Sequence, residues 1–158
     1  MWAFPGYYGK VAQAIQQDLK EAGIDAEMKV VSFAVFQDAA TRRGQAPCFF
    51  WGWTQDYPDP SNFLDVLFNG KNITETDSVN RSFYNNPGVN RLLNAAGKSL
   101  NADERTKLFR QAENTVMEDV PWVPVINPVF TLLHHTRLQN AKPHSIWIWR
   151  YERMWLRP

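Results

Sequence analysis

The chain has 158 residues, 44% of them hydrophobic and 21% charged, with a net charge of +1. That suffices for one domain with a real core, since a domain of this size buries roughly 68–70% of its unfolded surface. The charge balance gives no electrostatic case for nucleic acid or an anionic membrane, and no run approaches a transmembrane helix. The N-terminus runs almost directly into a helical pattern and reads as carrying no secretory signal peptide. The aromatic share of 14%, with seven tryptophans, is high. It points to a tightly packed core or to binding surfaces.

Val11, Ile15 and Leu19, with Ala14 and Ala22, recur at helical spacing. They predict a helix over residues 11–21, stopped by Gly23. A strand follows within residues 27–33. Ser32 is placed to cap a second helix reaching Arg43, with Gly44 as its stop. Residues 48–53 are apolar and aromatic, bounded by Pro47 and by Pro58 and Pro60. They read as a buried strand, centred on 48–52. In it Cys48, the single cysteine, reads as a small buried hydrophobe. Ser61 or Asn62 then caps a short helix with Phe63, Leu64, Leu67 and Phe68 on its apolar side. Residues 71–81 are polar and aperiodic, hence a loop.

Asn86-Pro87 is a helix start, with a capping side chain and proline at the first helical position. Val89, Leu92, Leu93, Ala96 and Leu100 form the inner stripe of a helix over 87–99. Asn101, with Glu104 as a capping-box partner, opens the longest helix, 102–120. Its inner face carries Leu108, Ala112, Thr115 and Val116, and Pro121 ends it. Residues 122–127 and 129–135 read as strands. Residues 146–156 are apolar on both faces, as in a covered strand. Helices alternating with strands define an α/β fold with a mixed sheet flanked by helices.

The densest stretch is W-G-W-T-Q-D-Y-P-D-P-S-N-F-L, residues 51–64. The prolines push Tyr57 and Asp59 toward extended or turn geometry. The loop thereby presents Trp53 and Asp56 together. An aromatic face beside a carboxylate suits an ammonium-bearing ligand. The competing reading of Asp56 is a carboxylate that closes its own turn. For Asp59, between two prolines, turn or cap chemistry is the favoured reading. Trp51 and Trp53 share a face if the strand is regular. Trp53 is a ligand wall or plain core, and Tyr57 lines the rim. His134 and His135 are adjacent and would point to opposite faces of a strand, which argues against one metal. Arg105 and Arg110 read as solvated. No Cys/His metal spacing, phosphate loop or nucleophile elbow is present.

The wording of residues 51–64 resembles the peptide-binding proteins of bacterial ABC importers, the solute-binding family that includes dipeptide and oligopeptide receptors. Three further segments resemble that family in order: V-A-Q-A-I-Q-Q-D-L-K-E-A-G at 11–23, followed by Ile24 and the strand-like residues 26–33; F-Y-N-N-P at 83–87 with Leu92 and Leu93; and R-T-K-L-F-R-Q-A-E-N-T-V-M-E-D-V-P-W-V-P at 105–124. The resemblance implies one lobe of a two-lobed periplasmic-binding-protein type II fold. Residues 1–137 would be the C-terminal lobe, incomplete at its N-terminus, and 138–158 a tail that returns to a first lobe. On that expectation the chain is a fragment that binds weakly alone.

The resemblance further implies a non-catalytic substrate-binding component of an ABC transporter. It would be periplasmic or extracellular, and membrane-associated in Gram-positive bacteria. Its partners would be a peptide or other small solute and an ABC permease, with no cofactor and no metal. By this resemblance Asp56, three residues after Trp53, pairs with the α-amino group of a peptide. Trp53, Trp51 and Tyr57 are the accompanying ligand-binding residues. Alternatives are a relative carrying an oligosaccharide, a metal chelate or haem, and an interaction module that uses its aromatic surface. An uncovered tail would fold back on the lobe or pair with a second copy as a homodimer.

Overall fold

The computed structural model describes residues 1–158 except Phe130, Ser145, Trp147 and Ile148. The first helix, α1 (Tyr7–Glu21), begins four residues before the periodic stripe. Its end is a glycine stop of the expected kind. Gly23 sits at φ +83°, its N–H donates to the Lys20 carbonyl, and the Ile24 N–H donates to the Leu19 carbonyl at 2.8 Å. These two bonds satisfy carbonyls that the helix would otherwise leave open.

Two short strands, β1 (Trp2–Ala3) and β2 (Lys29–Val30), pair in parallel with Trp2 opposite Lys29. The strand expected within 27–33 is therefore present but only two residues long. Ser32 caps α2 (Phe33–Ala40) by accepting from the Val35 N–H. This helix stops short of Arg43. At Thr41 the hydroxyl donates to the Gln37 carbonyl at 3.0 Å and the Asp38 carbonyl at 3.1 Å.

The expected strand over 48–52 is corrected to a single parallel bridge between Trp2 and Phe49, with the Trp2 N–H donating to the Cys48 carbonyl at 2.8 Å. Side-chain packing, rather than a ladder, holds this segment. Trp51 lies 5.6 Å from Tyr8 and from Phe36 and 6.0 Å from Phe4 and from Phe33, ring centre to ring centre. Cys48 is exposed, not buried.

The second half is helical. A 3-10 turn, Pro60–Asn62, leads into α3 (Leu64–Phe68), and α4 (Pro87–Lys98) and α5 (Ala102–Asp119) pack as neighbours. Their apolar stripes build one core from Leu67, Phe68, Val89, Leu93, Ala96, Phe109, Ala112 and Val116. Asn86 caps α4, accepting from the Gly88 and Val89 N–H groups. Asn101 caps α5, accepting from those of Asp103 and Glu104. The Glu104 carboxylate does not reach back to Asn101. It accepts from the Ser99 hydroxyl at 2.8 Å. Leu100 was placed in the inner stripe by spacing, yet it is fully exposed, because α4 has ended before it.

The loop before α4 is ordered by buried amides. The Asn80 Nδ2 donates to the carbonyls of Asn69 and Tyr84, and its Oδ1 accepts from the Tyr84 N–H. The Ser78 N–H donates to the Thr41 carbonyl, joining this loop to the end of α2.

The tail forms an antiparallel pair, β3 (Leu138–Gln139) with β4 (Trp155–Leu156). Residues 122–127 have no ladder partner among the described residues, so they are not a strand. The expected strand 129–135 includes Phe130, outside the described residues, and its remainder has no ladder. Of the expected strand 146–156, Trp147 and Ile148 lie outside the described residues. Among the described residues, Tyr151–Arg153 is a 3-10 turn and only β4 is strand. Nor is β4 covered: Trp155 and Leu156 are 58% and 66% exposed. With parallel and antiparallel pairs and flanking helices, the fold is the expected mixed α/β class.

Leu93 and Leu100 test this assignment of the core. Leu93→Ala should destabilise by about 2–5 kcal/mol in urea unfolding, whereas Leu100→Ala should change stability by about 0.5 kcal/mol or less.

Candidate functional site

Asn62 organises the loop that carries the motif. Its side chain is 1% exposed, so its amide must find partners within the protein. The Oδ1 accepts from the Trp53 Nε1 at 3.2 Å and from the Asp56 N–H at 2.9 Å. The Nδ2 donates to the Asp56 Oδ2 at 3.2 Å. One buried amide therefore positions the indole and the carboxylate together. The Asp56 side chain remains exposed, so it has lone pairs to offer outward. Nothing in the sequence singled out Asn62 beyond a capping role. Its partners lie six and nine residues away, outside any helical or strand period.

Trp53 and Trp51 enter different clusters. Trp53 packs against the α3–α5 core. Trp51 joins Phe4, Tyr8, Phe33 and Phe36, and the Arg81 guanidinium lies 4.3 Å from its ring centre. The shared face expected of a regular strand is thus replaced by a division between two clusters, because the segment is not a regular strand. Tyr57 is 44% exposed, and its hydroxyl is 3.4 Å from that of Ser61.

Asp59 does the capping expected of it, accepting from the Ser61 N–H at 2.9 Å. It does more as well. Arg105 reaches from α5 and donates twice to its carboxylate, both bonds at 2.7 Å. Arg105 is therefore not merely solvated. The two residues are 46 apart, and no local pattern announces the pair. The Arg105 hydrogen bonds hold the Asp59 carboxyl well below its usual range, with the Ser61 bonds acting in the same direction against partial burial. Asp59 in turn raises the Arg105 guanidinium above its ordinary value. The ion pair locks the Pro-rich loop to α5.

A groove of about 550 Å³ runs beside this pair, lined by Ser61, Asp65, Lys71, Asn94, Lys98 and Arg105 among others. It lies along α3–α5 and includes none of Trp51, Trp53, Asp56 or Tyr57. Among the described residues, no group of three His, Cys, Asp or Glu is placed to hold a metal. His134 and His135 are both exposed.

One buried amide thus holds an indole and an exposed carboxylate on a single loop. Residues 5–75 match the family model described as bacterial extracellular solute-binding proteins, family 5 middle. The chain belongs to this family. It is similar to the probable di/tripeptide-binding protein 5 of Pseudomonas aeruginosa (strain UCBPP-PA14), 33% identical over 82% of this chain and 24% of that protein. It is also similar to heme-binding protein A of Haemophilus influenzae, 32% identical over 76% of this chain and 21% of that one. Among solved structures, the ABC transporter-associated periplasmic binding protein DppA from Helicobacter pylori, in complex with the peptide STSA, superposes over 99% of this chain and 30% of its own. The TM-score is 0.90 and the identity 25%. The chain spans about a quarter of the length of the curated relatives it matches.

The Asp59–Arg105 pair carries a pH signature. The folded carboxyl titrates below its ordinary value of 3.8, so the pair's contribution is complete above that value. It is lost as pH falls from there through the folded value. Arg105→Met should lower the urea midpoint at pH 7, and that deficit should shrink as pH drops below about 4.

Proposed function

We propose that this chain supplies one lobe of a two-lobed binding protein that captures peptides and delivers them to an ABC permease. The single observation that supports this most directly is the Asn62-held pairing of Trp53 with the exposed Asp56 carboxylate. Asp56 anchors the peptide's α-amino group by a charge-assisted bond. Trp53 forms a wall beside it, Tyr57 the rim, and Trp51 the packing beneath. The family resemblance points to Asp56, three residues after Trp53.

Capture in such a protein is hinge closure around the ligand, so one lobe alone makes only part of the contact. In this reading residues 1–137 form the lobe and 138–158 cross to the other. The exposed Trp155 and Leu156 are then covered by the rest of the protein. Capture takes place outside the cytoplasmic membrane, with the protein held at the membrane surface in Gram-positive bacteria.

Asp56→Asn removes the charge and keeps the shape. In the protein expressed from its complete gene, calorimetry with trialanine should show binding weakened by about 1.5–3 kcal/mol. Equal affinity would mean that Asp56 serves only its own loop. Light scattering tests the tail. A monomer fits cover from within the protein, whereas a dimer lost on deleting residues 138–158 would mean cover by a second copy.

A further inference from the structure

The groove of about 550 Å³ along α3–α5 is lined by three cations, Lys71, Lys98 and Arg105, against one carboxylate, Asp65. Two of the cations are engaged. Lys71 pairs with Asp65 at 2.8 Å, and Arg105 with Asp59 at 2.7 Å. Lys98 has no ion-pair partner among the described residues. Even with Asp59 counted, the groove keeps one uncompensated positive charge.

Its spare hydrogen-bonding capacity lies on the donor side as well. The Asn94 Oδ1 accepts from the amide of the buried Asn69 at 3.1 Å. That bond fixes the orientation of the Asn94 amide and leaves its NH2 open to donate. Arg105 spends one N–H from each Nη on Asp59, and a guanidinium carries five such donors. The one acid, Asp65, is already occupied, accepting from Asn69 at 2.8 Å and from Lys71. The groove therefore offers donors and charge to an acceptor that the chain itself does not supply.

A glycine shapes the floor. Gly97 lies in the last turn of α4, lines the groove and does not have a left-handed φ. Nothing stands within 4 Å of where its side-chain carbon would be. Neither backbone conformation nor packing requires glycine there, although glycine weakens a helix relative to alanine. Its effect is to leave space open next to Lys98. Beneath, Leu93 and Phe109 seal the groove, 1% and 3% exposed. The volume falls in the range of about 300–1,000 Å³ that holds small organic molecules.

We propose that the α3–α5 groove is a second binding site, separate from the Trp53–Asp56 loop, for a phosphate group, either free or as the monoester of a small organic molecule. Lys98 supplies the unpaired charge. The Asn94 NH2, the Ser61 hydroxyl and the remaining Arg105 N–H groups donate to the oxygens, the last by charge-assisted bonds. A phosphate presents three strong acceptor oxygens to such a set, whereas a carboxylate presents two. The inference does not depend on the peptide reading, because none of Trp51, Trp53, Asp56 and Tyr57 lines the groove.

The test is calorimetry at constant ionic strength on the protein from its complete gene, with inorganic phosphate, glycerol 3-phosphate and acetate. Phosphate should bind, and acetate should bind about tenfold more weakly or not at all. Lys98→Gln should weaken phosphate binding by about tenfold or more. Gly97→Leu should weaken it as well, with the urea midpoint kept, since the new side chain enters open space. Both variants should bind trialanine as the parent does, which keeps this site distinguishable from the peptide loop. Glycerol 3-phosphate binding more tightly than phosphate would support the site with an ester as its ligand, and weaker binding would support it with the free anion. Absence of phosphate binding, acetate binding as tightly as phosphate, or undiminished phosphate binding in either variant would overturn the site and leave the groove a solvated face of α3–α5.

Discussion

The side-chain amide of Asn62 is the constraint on which the loop of Trp53 and Asp56 depends. A primary amide removed from water loses several kcal/mol of solvation unless its groups are paired, with reference-state estimates of roughly 2–7 kcal/mol. Asn62 meets that requirement with three bonds, to the Trp53 indole, the Asp56 N–H and the Asp56 carboxylate. A residue that bonds both ends of a loop removes the conformations in which those ends separate. The indole and the carboxylate are thereby held in fixed relative position.

The loop is anchored a second time, from outside, by Asp59 and Arg105. Proline on both sides of Asp59 already limits its backbone, so little further freedom is lost when the carboxylate is caught. The partner comes from α5, and its position follows from the α4–α5 packing around Leu93, Phe109 and Ala112. The core therefore matters to the site directly. It sets where Arg105 stands, and Arg105 sets where the Pro-rich loop can lie.

Asparagine performs a similar task elsewhere in the chain. Asn69 and Asn80 are buried and bond backbone groups in the segment between α3 and α4. That segment has no ladder to satisfy its amides and carbonyls. Side-chain amides stand in for one, since they both donate and accept. The result is a polar but rigid connection between the aromatic cluster around Trp51 and the helical core.

Much of the helical half was legible in the sequence. The Asn86-Pro87 start, the Asn101 cap, the glycine stop of α1 and the Val89–Leu93–Ala96 stripe are local signals. A cap or a helical stripe acts within one or two turns, so adjacent residues carry the information. Asp56 and Trp53 were legible as a pair for the same reason. The segment around Trp51 was not, because aromatic runs suit a strand and a packed cluster equally well. Only the positions of Tyr8, Phe33 and Phe36 chose the cluster. The tail's residues likewise required a partner from elsewhere in the chain, as Trp155–Leu156 finds in Leu138–Gln139. The Asp59–Arg105 pair, the Asn62 bonds and the placing of Arg81 over Trp51 join residues that no period connects. The sequence by itself determined which segments are helical, where they are capped, and that a carboxylate and an indole share one stiff loop. The tertiary structure alone decided what holds that loop, because those contacts exist only after distant segments have packed together.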